Sequence, residues 1–261
     1  MFNKSILDFP INLFDELSKS TKFDNITNGR NGAILFDNKN NLVPLVRSTT
    51  VYHIPNQKFL PIHYHIIDKI KVSQQLKPSN NIELEESSQY NNLEFNNAMI
   101  EIYNREYCTM GFHTDQSLDL SENSYICLFS CYDDPTTKNL RKLKIKNRIT
   151  NKCYDILLNH NSIVIFSTDT NRKHLHKIIL DESNTTNNLW LGITFRQSKT
   201  FISFNNELPY FVSTGKILTL ANENQKKEYF KCRGLENSSI DYTYPEINYT
   251  ISVGDILFSD Q

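Results

Sequence analysis

Short apolar runs, each followed by Asn, Asp, Ser or Pro, dominate the chain from residue 93 onward and constrain its fold more than any other feature. The runs are AMIEIY (98–103), SYICLFSCY (124–132), RKLKIKNRI (141–149), SIVIFST (162–168), HKIIL (176–180), LWLGITF (189–195) and TFISF (200–204). Many short strands at near-regular spacing are typical of a sandwich or barrel. The sequence therefore predicts a mainly β domain.

The flanking segments predict a few further elements. We expect helices at 11–18 (next to Pro10), within 59–76 (beginning after Pro61) and at 222–235, strands at 32–37 and 249–258, extended chain at 42–55, and a polar loop at 78–92. No clear linker or internal repeat interrupts the chain. We divide it into an N-terminal extension (1–42), a core domain (43–204) and a C-terminal extension (205–261) packed on that core.

Composition narrows the class of protein. Apolar residues make up 39% of the chain, enough for a core, and 28 basic against 29 acidic residues leave a net charge of −1. A protein that coats nucleic acid without sequence preference should be basic, so that class is not favoured. Five cysteines, an odd number without CxxC spacing, predict reduced thiols in an intracellular compartment, cytoplasmic or nuclear.

The N-terminus and the apolar runs predict no contact with a membrane. No run of about 18 apolar residues is present, which is the minimum for a spanning helix. The first twenty residues lack the continuous apolar region of a secretory signal. The sequence does not indicate whether the protein is a monomer or an oligomer.

The stretch MGFHTDQSLDL (110–120) contains His113 and Asp115, two residues apart. Alternate residues of a strand point to the same face, so an imidazole and a carboxylate can aim at one point. The pair is either part of a solvated turn or half of a metal site. Two histidines and one carboxylate with open positions form the usual non-haem Fe(II) arrangement, so a metal site would need a further histidine.

Three later histidines are candidates for that ligand. His160 lies before a strand and has the context of a turn residue. His176 opens the run HKIIL, so its ring can project from a strand into the barrel. His174 has the same parity as His176, and periodicity alone leaves both open.

The strand LWLGITFR ends in Arg196. An oxygenase that uses 2-oxoglutarate needs a cation for the carboxylates of its co-substrate, because a buried carboxylate must be paired. Arg196 is the candidate for this role, and Ser198, two residues further on, can add a hydroxyl on the same face.

The block from 43 to 202 resembles the AlkB-like family of Fe(II)/2-oxoglutarate dioxygenases. The segment FNNAMIEIYNREYCTMGFHTD (95–115) is similar to that family's F-N-x-x-L…Y…I-G-x-H-x-D pattern. Tyr103 matches the tyrosine that stands ten residues before the first ligand histidine, His113.

Two later segments continue the resemblance in the same order. The segment NSIVIFSTDTNRKHLHKI (161–178) resembles a strand followed by S-R-x-x-x-H, with Arg172 at the arginine position and His176 four residues later. GITFRQ (192–197) resembles the closing L-T-F-R-Q strand, whose arginine is Arg196. The resemblance thus selects His176 over the alternative two residues earlier.

The resemblance implies a double-stranded β-helix (jelly-roll) core with flanking helices, with Fe(II) and 2-oxoglutarate as cofactors and O2 as the oxidant. It implies His113, Asp115 and His176 as the catalytic metal ligands and Arg196 as a ligand of 2-oxoglutarate. The implied reaction is oxidative demethylation of alkylated nucleic-acid bases, in which 2-oxoglutarate becomes succinate and CO2 and an N-methyl group leaves as formaldehyde.

Some positions depart from the family pattern. Glu101 stands where the family usually has asparagine, and Trp190 stands where it has a second arginine that holds one end of 2-oxoglutarate. Tyr103, Ser198 and Lys199 are candidates to replace that arginine.

The substrate is less constrained than the cofactors. Ser117 stands where many family members carry an acid near the substrate base. A hydroxylase of a protein side chain or a small molecule is therefore an alternative, as is a binding module that has lost turnover. Residues 205–261 match nothing recognised in the family.

Two other patterns have ordinary interpretations. In KNLRKLKIKNR (138–148), lysines alternate with Leu143 and Ile145, as on a half-exposed edge strand protected by lysine. The alternative interpretation is a stripe that follows phosphates. HYH (63–65) has His-x-His spacing, but the two rings would diverge on the predicted helix, so no metal role is expected.

Overall fold

The computed structural model describes residues 1–75, 93–181 and 187–258. The polar loop expected at 78–92 lies outside these residues. The described strands are β1 (Asn3–Ile6), β2 (Asp24–Thr27), β3 (Arg30–Phe36), β4 (Val43–Leu45), β5 (Gln57–Lys58), β6 (Asn97–Tyr103), β7 (Tyr125–Tyr132), β8 (Lys142–Asn147), β9 (Cys153–Leu157), β10 (Ser162–Ser167), β11 (His174–Ile179), β12 (Trp190–Arg196), β13 (Thr200–Asn205), β14 (Leu208–Phe211), β15 (Thr219–Leu220) and β16 (Tyr249–Thr250).

Four α-helices accompany these strands in the described part of the chain: α1 (Phe14–Ser20), α2 (Pro61–Gln75), α3 (Thr168–Lys173) and α4 (Glu223–Ser238). Short 3-10 helices cover Lys39–Asn41 and Val253–Ile256. A helix is present at each of the three predicted positions, 11–18, 59–76 and 222–235, although α1 ends at Ser20 and α4 continues to Ser238. The strand predicted over 249–258 is wrong beyond Thr250, where the chain turns into the second 3-10 helix. No helix among the described residues is both long and apolar enough to cross a membrane.

The largest sheet has the strand order β1-β10-β7-β12-β6-β3-β2, with β5 beside β3. Its central pairs are antiparallel, and β12 lies between β6 and β7. A smaller sheet has the strand order β11-β8-β9. Apolar residues of both sheets form one buried cluster, which includes Leu128, Val164, Leu143 and Ile145. The core is therefore a double-stranded β-helix with flanking helices, and the predicted fold class is confirmed.

Strand alternation separates two faces of the large sheet. Ala98 and Ile100 of β6 belong to the buried cluster that also contains residues of α1 and α2. Met99, Glu101 and Tyr103 of the same strand line a cavity on the opposite face. One face of the sheet thus carries the helices, and the other is available for a site.

The lysine-rich strand β8 is not an edge strand. It lies between β11 and β9, so its interpretation as an edge protected by lysine is wrong. Leu143 and Ile145 are buried as expected. Strand β9, which the apolar pattern missed because it is almost wholly exposed, forms the edge instead.

The predicted extensions contribute strands to two sheets that also contain strands of the core: the large sheet and a three-stranded sheet with the order β14-β13-β4. Strands β1, β2 and β3, all within 1–42, pair with strands of the large sheet, and β14 pairs with β13. The boundaries at 42/43 and 204/205 stay a prediction.

His63 stabilises the start of α2. Its Nδ1 accepts a hydrogen bond from the Leu60 backbone N–H at 2.8 Å, which satisfies an amide that the helix leaves unpaired. The ring is 1% exposed, and burial lowers the pKa of His63 to about 4. His65, two residues on, packs against Phe9 instead, so the His-x-His pair forms no joint site.

We expect His63 to make the protein less stable in mild acid. Below pH 6.5 the unfolded chain protonates this imidazole, while the folded protein keeps it neutral down to pH 4. The buried, neutral His63 imidazole therefore stabilises the folded state fully above pH 6.5. Its contribution to the free energy of unfolding declines by up to about 3 kcal/mol as the pH falls toward 4. Urea unfolding measured across this pH range should show that the free energy of unfolding falls more steeply with decreasing pH in the wild type than in His63→Gln. The glutamine amide oxygen can still accept a hydrogen bond from the Leu60 N–H. Equal pH slopes for the two proteins would contradict this prediction.

Candidate metal centre

His113 and His176 meet as an isolated antiparallel bridge beside the small sheet. The His113 N–H donates to the His176 carbonyl at 3.0 Å, and the His176 N–H donates to the His113 carbonyl at 2.7 Å. Their ring centroids are 4.7 Å apart. Directly opposed residues of an antiparallel pair place their side chains on the same face, so this bridge brings together two histidines that are distant in sequence.

Asp115 completes a cluster of three ligand groups. One ligand atom from each of His113, Asp115 and His176 lies within 4.8 Å of the others. His176 Nε2 is 3.4 Å from Asp115 Oδ1. His113 Nδ1 is 2.9 Å from the Gly111 carbonyl oxygen, a contact that fixes the ring and leaves Nε2 for another partner.

The protonation states suit metal binding. Burial lowers the pKa of His113 to about 3, and His176 acts in the same direction. Burial by itself would raise the pKa of Asp115, but Arg196 and His176 outweigh it and hold this pKa well below its usual range. The cluster therefore offers a neutral imidazole and an ionised carboxylate, the forms that bind metals.

The structure separates His176 from the other candidate histidines. His174 lies on the same strand, but its Nδ1 contacts the Thr170 carbonyl at 2.9 Å and its Nε2 contacts Asn147 at 3.0 Å. His160 accepts a hydrogen bond from the backbone N–H of Tyr132. Only His176 of these three belongs to the cluster with the HxD pair among the described residues.

Arg196 forms an ion pair with the Asp115 carboxylate. Its Nε donates to Asp115 Oδ2 at 2.8 Å, and both side chains are buried. Among the described residues, the Arg196 side chain donates a hydrogen bond only through Nε. Its two terminal nitrogens have no acceptor among these residues. Arg196 can therefore bind a second anion while it orients Asp115.

Tyr103 and Ser198 have different surroundings. The Tyr103 hydroxyl donates to Glu101 Oε2 at 2.6 Å, and Arg30 Nε donates to Glu101 Oε1 at 2.7 Å. These residues line the cavity. The Ser198 hydroxyl instead donates to the backbone carbonyl oxygen of Leu45 at 2.5 Å, and Ser198 does not line the cavity. Its part in co-substrate binding stays a prediction without a contact to support it.

Trp190 fills space beside the site. A Cβ added at Gly192 would lie 2.1 Å from the Trp190 ring, so the glycine is needed for the indole to fold over the strand. The ring also packs against Tyr103, with centroids 4.8 Å apart, and the Arg141 guanidinium lies 5.9 Å from its centroid. Arg141 belongs to the lysine-rich run 138–148, but the pattern of that run does not indicate its burial, because no local pattern marks an arginine that stacks on distant aromatic rings.

A cavity of about 470 Å³ opens in front of the cluster. Its lining includes the metal-ligand candidates and four arginines, each in an ion pair with a carboxylate: Arg30 with Glu101, Arg47 with Asp119, Arg196 with Asp115, and Arg233 with Glu236. Charges around the cavity therefore balance before any metal binds. A larger cavity of about 620 Å³ lies nearby, but none of the three cluster residues lines it.

No family model and no curated protein matches the sequence. Among solved structures, that of OsALKBH1, an AlkB homologue, is similar to 65% of this chain and 78% of that chain. The sequence identity is 14% and the TM-score 0.42.

Proposed function

We propose that this protein is an Fe(II)- and 2-oxoglutarate-dependent oxygenase. The observation that carries the proposal is the convergence of His113, Asp115 and His176 within 4.8 Å at the wall of a cavity. Two imidazoles and one carboxylate, with positions left open toward the cavity, match the preference of non-haem Fe(II). With 2-oxoglutarate, bound iron would supply the activation of O2 needed to oxidise a C–H bond.

The charges of the cavity fit this pair of cofactors. The arginines and carboxylates around it balance, so a divalent cation leaves an excess of two positive charges. A dicarboxylate co-substrate neutralises that excess. Arg196, with two terminal nitrogens unused by described residues, is the group that would hold one of its carboxylates. Tyr103, which lines the same cavity opposite Trp190 at the other end of β12, would contribute to the second carboxylate, although its hydroxyl now donates to Glu101.

For the substrate, an N-alkylated nucleic-acid base remains the class that the sequence resemblance implies. Phe230, which is 51% exposed, lines the cavity and offers an aromatic face on which a planar base can stack. Ser117 cannot serve as a base-reading acid, and its hydroxyl donates to Glu236. The aromatic lining therefore supports a planar substrate group more directly than it supports one particular base.

The proposal is tested by anaerobic titration of the full chain with Fe(II) and 2-oxoglutarate, followed by succinate release with methylated and matched unmethylated oligonucleotides. We expect iron-dependent 2-oxoglutarate binding and succinate release that rises with the methylated oligonucleotide. Absence of iron-dependent binding would reject the oxygenase. Succinate release that no oligonucleotide stimulates would favour a protein or small-molecule hydroxylase, and binding without turnover would favour a binding module.

A further inference from the structure

The segment that carries Asp115 has little backbone support of its own. After the bridge at His113, residues 114–119 belong to no strand. Buried backbone groups that no sheet pairs need other hydrogen-bond partners, such as side chains. Asn171 provides two of these, because its side-chain amide bonds both the N–H and the carbonyl of Asp115 at 2.8 Å. The partners of the neighbouring residues come from α4, in the region where the sequence showed no functional motif.

Helix α4 holds the chain on both sides of Asp115. On one side, Arg233 donates to the Thr114 carbonyl oxygen and, at 3.0 Å, to the Thr114 hydroxyl. On the other side, Glu236 Oε1 accepts from the Ser117 N–H at 2.8 Å and from the Ser117 hydroxyl at 2.6 Å. The carboxylate ligand therefore lies between two residues that α4 grips.

The two gripping residues are also bonded to each other. Arg233 and Glu236 form an ion pair one turn apart on α4, and both are buried. Glu236 Oε2 accepts a further hydrogen bond from the Tyr244 hydroxyl at 2.7 Å. Between the gripped residues, Gln116 donates to the Tyr229 hydroxyl of the same helix at 2.7 Å. A shift of α4 would therefore displace the whole ligand-bearing segment.

We propose that the Arg233–Glu236 pair positions Asp115 for metal binding, so that α4 is part of the metal centre although it donates no ligand. This inference rests on the proposed metal site. Partners that orient a ligand without touching the metal typically change metal affinity 10- to 100-fold. In the same arrangement, Ser117 is the residue whose N–H and hydroxyl bind the Glu236 carboxylate.

Titration of the full chain with Co(II), followed by its visible absorption, tests the proposal without turnover. Arg233→Met and Ser117→Ala are expected to weaken Co(II) binding by about 10- to 100-fold, and Arg233→Lys should recover part of the loss. The matched control is Lys231→Met, which removes an exposed cation from the same helix and should leave the affinity unchanged. Thermal unfolding of each variant separates loss of affinity from loss of stability.

The outcomes are distinct. Variants that are less stable but bind Co(II) like the wild type would show a purely structural pair and overturn the proposal. If Arg233→Met does not fold, Ser117→Ala decides, since it removes one hydroxyl from a half-buried side chain. A wild-type protein that binds no Co(II) would instead reject the metal site itself.

Discussion

Replacement of His176 by alanine is expected to abolish specific Fe(II) binding, whereas His174→Ala should retain it. Both histidines lie on β11 with the same parity, but only His176 bridges to His113 and approaches Asp115, at 3.4 Å. Loss of a direct ligand should weaken affinity by more than roughly 100-fold, because even supporting partners contribute 10- to 100-fold. Anaerobic calorimetric titration of both variants measures the difference.

The His174→Ala variant is the matched control for this experiment. It removes an imidazole of the same strand, whose nitrogens contact Thr170 and Asn147 and whose ring packs edge-on against Phe2. We expect a modest loss of stability, on the order of 1 kcal/mol, from these lost hydrogen bonds. The reverse pattern, in which His174→Ala loses iron and His176→Ala keeps it, would overturn the choice of ligand.

Replacement of Arg47 by methionine is expected to destabilise the fold by about 3–5 kcal/mol, the cost of leaving a buried charge unpaired. Arg47 and Asp119 are joined at 2.7 Å with side chains 4% and 0% exposed. The guanidinium also donates to the carbonyl oxygens of Ile247 and Tyr249 at 2.7 and 3.0 Å. The variant therefore loses the tie between the end of the ligand-bearing segment and the C-terminal chain. Urea unfolding measures the change in free energy.

Lys216→Met provides the comparison for the buried pair. It breaks the Lys216–Glu246 ion pair, whose side chains are 54% and 68% exposed. Exposed pairs of this kind contribute about 0–1 kcal/mol, so this variant should unfold close to the wild type. Similar losses in the two variants would show that burial does not set the strength of the Arg47–Asp119 pair.

The strands of the core could be predicted because their apolar runs are local. β6, β7, β10, β12 and β13 each coincide with a run bounded by turn residues. The missed elements lack that signal. β9 is almost wholly exposed, and α3 is a polar hexapeptide, TDTNRK, that connects β10 to β11.

The position of β8 shows a second limit of local pattern. Its alternation of lysine with buried Leu143 and Ile145 correctly predicts a strand with one buried face. The alternation does not indicate which strands flank β8, since a central strand and an edge strand can share the same alternation. That information depends on β9, whose exposed residues give no apolar signal, and on β11, which follows β8 only after β9, β10 and α3.

The sequence by itself determined the local part of this protein: the β-rich core and the two-residue spacing of His113 and Asp115. The tertiary structure decided which histidine joins them, because the bridge to His176 closes a loop of more than sixty residues. It also decided that Arg196 orients Asp115 and that α4 grips the residues beside it. Side chains that meet across such distances share no period or motif, so their contacts exist only in the folded chain.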